Sequence, residues 1–152
     1  MAYPSIFDAV TTENLIARFN KVKASDKPLW GKMNAAQMLA HLNVSYELIL
    51  GERTYKTPFF LKIFAPIFFK GIMTNTKDYP KNTPTGKDFV IADERDFENE
   101  KARLIANFSK CHAFGPKFYL EAKHPLLGKL TAEQWNNTLY KHLDHHLRQF
   151  NA

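Results

Sequence analysis

Residues 139–150 read LYKHLDHHLRQF, and the spacing within this stretch decides the fold. Three of the chain's six histidines, His142, His145 and His146, fall within five residues. A helix advances about 100° per residue, so with His142 at zero Trp135 falls at about 20°, His146 at about 40°, Leu139 at about 60° and Phe150 at about 80°. Glu133, Asn137, Asp144 and Arg148 lie opposite, with Asp144 and Arg148 placed as an exterior i,i+4 pair. His142 and His146 therefore share an apolar, inward stripe. His145, at about −60°, stands at its edge, either a supporting residue at a pocket rim or a surface neighbour.

This helix opens at Thr131, where TAEQW puts Gln134 three residues after a threonine in a capping-box pattern. Three more amphipathic segments precede it, and no alternating strand pattern is convincing. One spans about Thr12 to Lys23, with Thr11 or Thr12 as N-cap and Leu15, Ile16, Phe19 and Val22 on one face. The next starts at Asn34 and Gln37, another capping box, and runs to about Leu50 before Gly51. The third covers about Arg95 to Phe114, acidic at its start and closed by Gly115 and Pro116. The expected fold is all-α, a single four-helix-bundle domain over residues 1–152, with residues 51–92 as a long crossover between the second and third helices. A connection this long need not leave those two helices as antiparallel neighbours. It carries PFFLKIFAPIFFKGIM (residues 58–73), read as a short helix broken at Pro66.

The net charge of +6 invites a nucleic-acid reading. Binding needs a patch, however, and the lysines here alternate with acidic and apolar residues, so no nucleic-acid partner is expected. Cys111 is the only cysteine, which excludes an internal disulfide. The start, MAYPSIFDAV, lacks the pattern of a signal peptide. The aromatic run is interrupted by Lys62, Pro66 and Lys70 and is shorter than the ~20 residues of a spanning helix. A soluble, cytoplasmic protein without a transmembrane segment is expected.

On the second helix, with His41 at zero, Gln37, Met38, Ser45, Leu48 and Ile49 fall within about 80°, while Asn43 and Glu47 are on the polar side. His41 is thus a third inward imidazole. Residues four apart on a helix stand ~5–6 Å apart at Cβ, so His142 and His146 can turn toward one ion. Each buried imidazole has a donor and an acceptor to satisfy, and a shared metal resolves that cost. Helix-packed histidines without metal remain the alternative. His112, near the C-terminal end of the third helix, is read as structural and close to Trp135; His124 is read as a loop residue.

The segments WGKMNAAQMLAHL and KHLDHHLRQF together resemble the DinB/YfiT-like superfamily of metalloenzymes, and HPLLGKLTAEQW followed by YKHLDHHLRQF looks very like an uncharacterised branch of it, a domain of unknown function. The likeness covers nearly the whole chain. It implies a four-helix bundle with one metal ligand on helix two and two on helix four, which map onto His41, His142 and His146. His145 matches a recurrent extra histidine. Many members continue with Arg-Gly-Gln; here Leu147, Arg148 and Gln149 follow, so the glutamine keeps its place and no role carries over for the arginine. Some members look like thiol-dependent S-transferases or hydrolases.

Three neutral imidazoles leave a divalent ion an open position, the catalytic pattern. Zinc is the first expectation, with nickel, iron and manganese admissible because imidazoles discriminate weakly among them. Gln37, Ser45, Gln149 and His145 are candidates for orienting ligand rings. Glu47, Glu133 and Asp144 point away and Glu52 lies past a helix end, so no general base is evident. The expected function is a metal-dependent transferase or hydrolase acting on a small, partly apolar molecule, with a thiol as one candidate cosubstrate. Its rivals are a non-catalytic binder of metal or apolar ligand, and a partner- or membrane-surface-binding protein that uses the aromatic run. An exposed aromatic run would equally suit a homodimer.

Overall fold

The capping signals at Asn34 and Thr131 both operate. In the computed structural model, which describes residues 3–152, α2 spans Ala35–Ile49 and α6 spans Ala132–Gln149. The Asn34 and Thr131 side chains accept from the N–H groups of Gln37 and Gln134, whose own side chains accept in return from the cap N–H. The other helices are α1 Ala9–Lys21, α3 Phe59–Phe68, α4 Lys70–Thr74 and α5 Phe97–Glu121. A 3₁₀ turn covers Lys87–Phe89, and a two-stranded hairpin pairs β1 Lys123–His124 with β2 Gly128–Lys129. The chain is all-α apart from that hairpin.

Three boundaries differ from the sequence reading. α1 begins at Ala9, with Asp8 at its N-cap. The Thr12 hydroxyl is drawn instead to the Ile6 carbonyl and to His112 Nδ1, 3.3 and 3.0 Å away. The first part of α5 ends at Phe114 as read, but a second helical stretch follows it. Gly115 takes φ 65°, ψ 179°, which interrupts the helix, and Pro116 restarts it as far as Glu121. Proline suits this restart because a first helical residue has no intrahelical use for an N–H. Pro66 does not break α3; it sits inside the helix, which continues to Phe68.

Hydrogen bonds across the helix pairs fix their directions. Along α2 and α5, Gln37 reaches Asp93, Asn43 reaches Glu100, Glu47 reaches Arg103 and Glu52 reaches Lys110. The order ascends on both sides, so these two helices are parallel neighbours, and residues 51–92 carry the chain back to where α2 began. α1 runs antiparallel to α5, with Thr12 by His112 and Val22 by Lys101, and parallel to α6, with Ile6 by Asn136 and Arg18 by Asp144. α2 and α6 are antiparallel through the histidines. Leu15, Phe19, Met38, Leu39, Tyr46, Leu104, Phe108, Tyr119, Trp135 and Leu143 fill the core between them.

Two faces read as solvated are buried. Asn43 and Glu47 lie in the α2–α5 interface, where Asn43 donates to Glu100 at 2.8 Å and Glu47 is held by Arg53 and Arg103. Asn137 on α6 is buried because residues 70–77 lie over it, and its amide donates to the Thr74 carbonyl at 2.9 Å. On the same face Lys141, 1% exposed, gives its ammonium to the carbonyls of Ile72, Asn75 and Lys77 and to Asn75 Oδ1, at 2.7–3.0 Å. Asp144 and Arg148 do pair, at 3.0 Å; Arg148 is exposed as read, while Asp144 is half-buried and also holds Arg18 of α1 at 2.7 Å. No helix among the described residues is long and apolar enough to cross a membrane.

Candidate metal centre

The antiparallel crossing of α2 and α6 brings His41 against His142 and His146. The His41 ring centroid lies 5.1 Å from that of His142 and 4.8 Å from that of His146, and the α6 pair stand 5.0 Å apart. Among the described residues these three form a group whose candidate ligand atoms all lie within 4.8 Å of one another. His41 Nε2 and His142 Nε2 are 3.0 Å apart. Two nitrogens each about 2.0–2.1 Å from one ion stand about 3 Å apart when they subtend a near-right or tetrahedral angle, so the spacing fits a shared ion.

The partners of the far ring nitrogens set the tautomers. His41 Nδ1 lies 2.8 Å from the Phe89 carbonyl, which only accepts, so Nδ1 carries the proton and Nε2 presents a lone pair. Gln149 Nε2 donates to the Trp30 carbonyl at 2.6 Å, which turns Oε1 toward His146 Nδ1 at 2.8 Å. His146 therefore also protonates Nδ1 and frees Nε2. His142 has Ser45 Oγ 3.5 Å from Nδ1, so it can hold its proton there or donate from Nε2 to His41. Two of three rings are thus preset to ligate, in the arrangement by which outer partners orient metal-bound histidines.

Burial keeps all three rings neutral. It depresses His41, opposed by the Phe89 hydrogen bond, and depresses His142 well below the usual range, with the neighbouring histidines adding to the effect. His146 is pushed down to about 3 by burial and by the nearby His41, against the favourable Gln149 contact. Neutral imidazole is the form that binds a metal.

Residues 7–152 match the family described as "Protein of unknown function (DUF1569)". The chain belongs to this family. No curated protein and no solved structure matches it.

The remaining candidates divide in this DUF1569 chain. Ser45 and Gln149 stand beside the His142 and His146 rings. His145 is buried between Trp30 and Tyr79, at 5.4 and 5.8 Å between centroids, with its edge on His146. His145 is thus a buried neighbour of His146 and not a surface residue. Gln37 does not serve the site: its carbonyl caps Asn34 and its amide donates to the Asp93 carbonyl. His112 is structural, as read, but its partners are Thr12 and Ile6 rather than Trp135. His124 packs on Trp135 instead, at 5.4 Å, and its Nδ1 accepts from the Leu126 and Leu127 N–H groups at 3.1 Å. Cys111 is buried, and burial lifts its thiol to about 11, so it supplies no thiolate.

Sequence reasoning missed Phe89, Trp30, Tyr79 and Gly31. Gly31 holds φ 82°, and a Cβ there would lie 2.8 Å from Gln149 Nε2. The one available signal was a glycine directly after Trp30 in the WGKMNAAQ stretch, since glycine favours a positive φ and a close backbone approach.

Proposed function

We propose that this protein is a metal-dependent enzyme, a transferase or hydrolase, whose centre is His41, His142 and His146. The observation that carries the reading is the convergence of three neutral imidazoles, His41 and His146 buried and His142 half-buried, two with Nδ1 tied to an acceptor and Nε2 left facing the others. When bound, a divalent ion would act there as a Lewis acid with a position left for substrate; zinc suits the donor set best, and nickel, iron and manganese are compatible with it. Phe89 and Gln149 would hold two ligand rings in orientation, and Ser45 can take the His142 proton contact. His145 meets His146 by its edge and is backed by Trp30 and Tyr79, and this aromatic surface beside the centre suits a small, partly apolar substrate.

The same reading takes the four long helices as a four-helix bundle of the DinB/YfiT-like kind. The parallel α2–α5 pair and the long return between them are what a crossover bundle requires. The buried carboxylates Glu47 and Glu100 are each held by arginines in the α2–α5 interface. The chain thus commits them to structure, which supports use of a cosubstrate such as a thiol. It also favours the second reading, a non-catalytic protein that binds metal or an apolar ligand.

Metal content of protein purified without chelator tests the centre. One equivalent of metal is expected in the wild type, and its loss in His142→Ala and His146→Ala. A metal-free wild type overturns the proposal. Turnover of thiol adducts and esters, present with metal and absent after chelation, separates enzyme from binder.

A further inference from the structure

α3 is apolar around most of its circumference and yet is hardly covered. Phe59, Ile67 and Phe68 are 79%, 70% and 64% exposed, Phe60, Ile63 and Phe64 are also exposed, and Ala65 alone in this helix is buried. A helix apolar all round is normally buried in protein or in lipid, and an exposed patch of this kind marks an interaction surface. Pro66 leaves the helix intact, so the apolar surface is continuous into α4, where Ile72 is exposed.

The chain flanking it carries an excess of positive charge. Between Glu52 and Asp78 the chain has Arg53, Lys56, Lys62, Lys70 and Lys77 and no carboxylate. Between Glu121 and Glu133 it has Lys123 and Lys129 and again no carboxylate. The two stretches are tied together: Thr57 Oγ1 donates to the Pro125 carbonyl at 3.4 Å, Lys70 Nζ donates to the Lys129 carbonyl at 3.1 Å, and Lys123 and Lys129 are cross-strand partners. Exposed phenylalanines flanked by Lys62, Lys70 and Lys129 complement an interface that offers acyl chains beneath anionic headgroups. A second copy of the chain fits less well. A two-fold contact would set each patch on itself and bring its lysines against their own counterparts.

We propose that α3 and α4 dock this protein onto the surface of an anionic lipid bilayer, with Phe60, Phe64 and Ile67 inserted at the headgroup boundary and Lys62, Lys70 and Lys129 on the phosphates. The helix lies on the bilayer and does not cross it.

Cosedimentation with vesicles tests this. Binding to vesicles of equal parts phosphatidylglycerol and phosphatidylcholine should be at least about tenfold tighter than to phosphatidylcholine alone, and should weaken as added salt screens the lysines. Phe60→Ser with Phe64→Ser should remove binding, and Lys62→Glu should weaken it about tenfold. All three positions are exposed, so circular dichroism should match the wild type. His142→Ala should bind vesicles normally, which separates this surface from the metal centre. Equal binding to both vesicle types, or binding indifferent to these substitutions, overturns the proposal. So does a dimer in sedimentation equilibrium that Phe60→Ser with Phe64→Ser dissociates, since the patch would then belong to a second copy.

Discussion

At the residue scale the candidate centre depends on groups that do not themselves ligate. Gln149 fixes the His146 tautomer because its amide is held by the Trp30 carbonyl, and it can occupy that place because Gly31 has no side chain. Gln149→Leu should therefore weaken metal affinity about 10–100-fold while leaving all three histidines in place, read by competition with a chelating dye. Gly31→Ala should act in the same direction, since its methyl displaces the carboxamide and alanine tolerates a positive φ poorly. Unchanged affinity in both would mean that His146 orients itself. The three-histidine cluster was legible because His41, His142 and His146 fall on apolar stripes at helical spacing. The Phe89 carbonyl was not, since every residue offers a carbonyl and only the folded path of residues 51–92 brings this one to His41.

At the element scale, the capped helices were legible and the irregular connections were not. Asn34–Gln37 and Thr131–Gln134 state their helix starts locally, by side chains that satisfy the first free N–H groups. The hairpin around His124 offered no such signal and looked like a surface loop. It is instead a proton-sensitive element. His124 Nδ1 accepts two backbone N–H groups, so protonation there breaks both, and burial lowers the ring from 6.5 to about 4. The folded state keeps the ring neutral while the unfolded chain binds a proton below about pH 6.5. Stability from this group is thus complete above pH 6.5 and is lost as pH falls toward 4, by about 2 kcal/mol at pH 5 and on the order of 3 kcal/mol at pH 4. With metal chelated, urea midpoints at pH 7 and pH 5 should differ less in His124→Asn than in the wild type. An equal difference would remove His124 from the acid response.

At the scale of the whole molecule, hydrophobic periodicity gave the long helices but not all of their partners. Asn43, Glu47, Glu100, Arg103 and Asn107 make the α2–α5 contact polar, so a rule that sends polar residues to solvent placed this seam outside. Asn137 misled for the same reason on α6, where residues 70–77 supply the oxygens that it and Lys141 need. A buried lysine held by carbonyls satisfies its donors as fully as water would.

The Lys141 clasp has a kinetic consequence. An acylating reagent needs a free, accessible amine, and this one is enclosed by the segment that also carries α4. Burial draws its pKa down to about 8 while the segment is docked, and uncovering it restores an ordinary lysine amine that reacts as an exposed one does. Its acylation rate therefore counts how often residues 70–77 lift from α6, while exposed Lys62 reports the unhindered rate. Mass spectrometry after brief labelling should show Lys141 protected at least about a hundredfold relative to Lys62, and equal rates would mean that the segment does not stay docked. One side chain thus serves as a clock for any breathing motion beside the helix that carries His142 and His146.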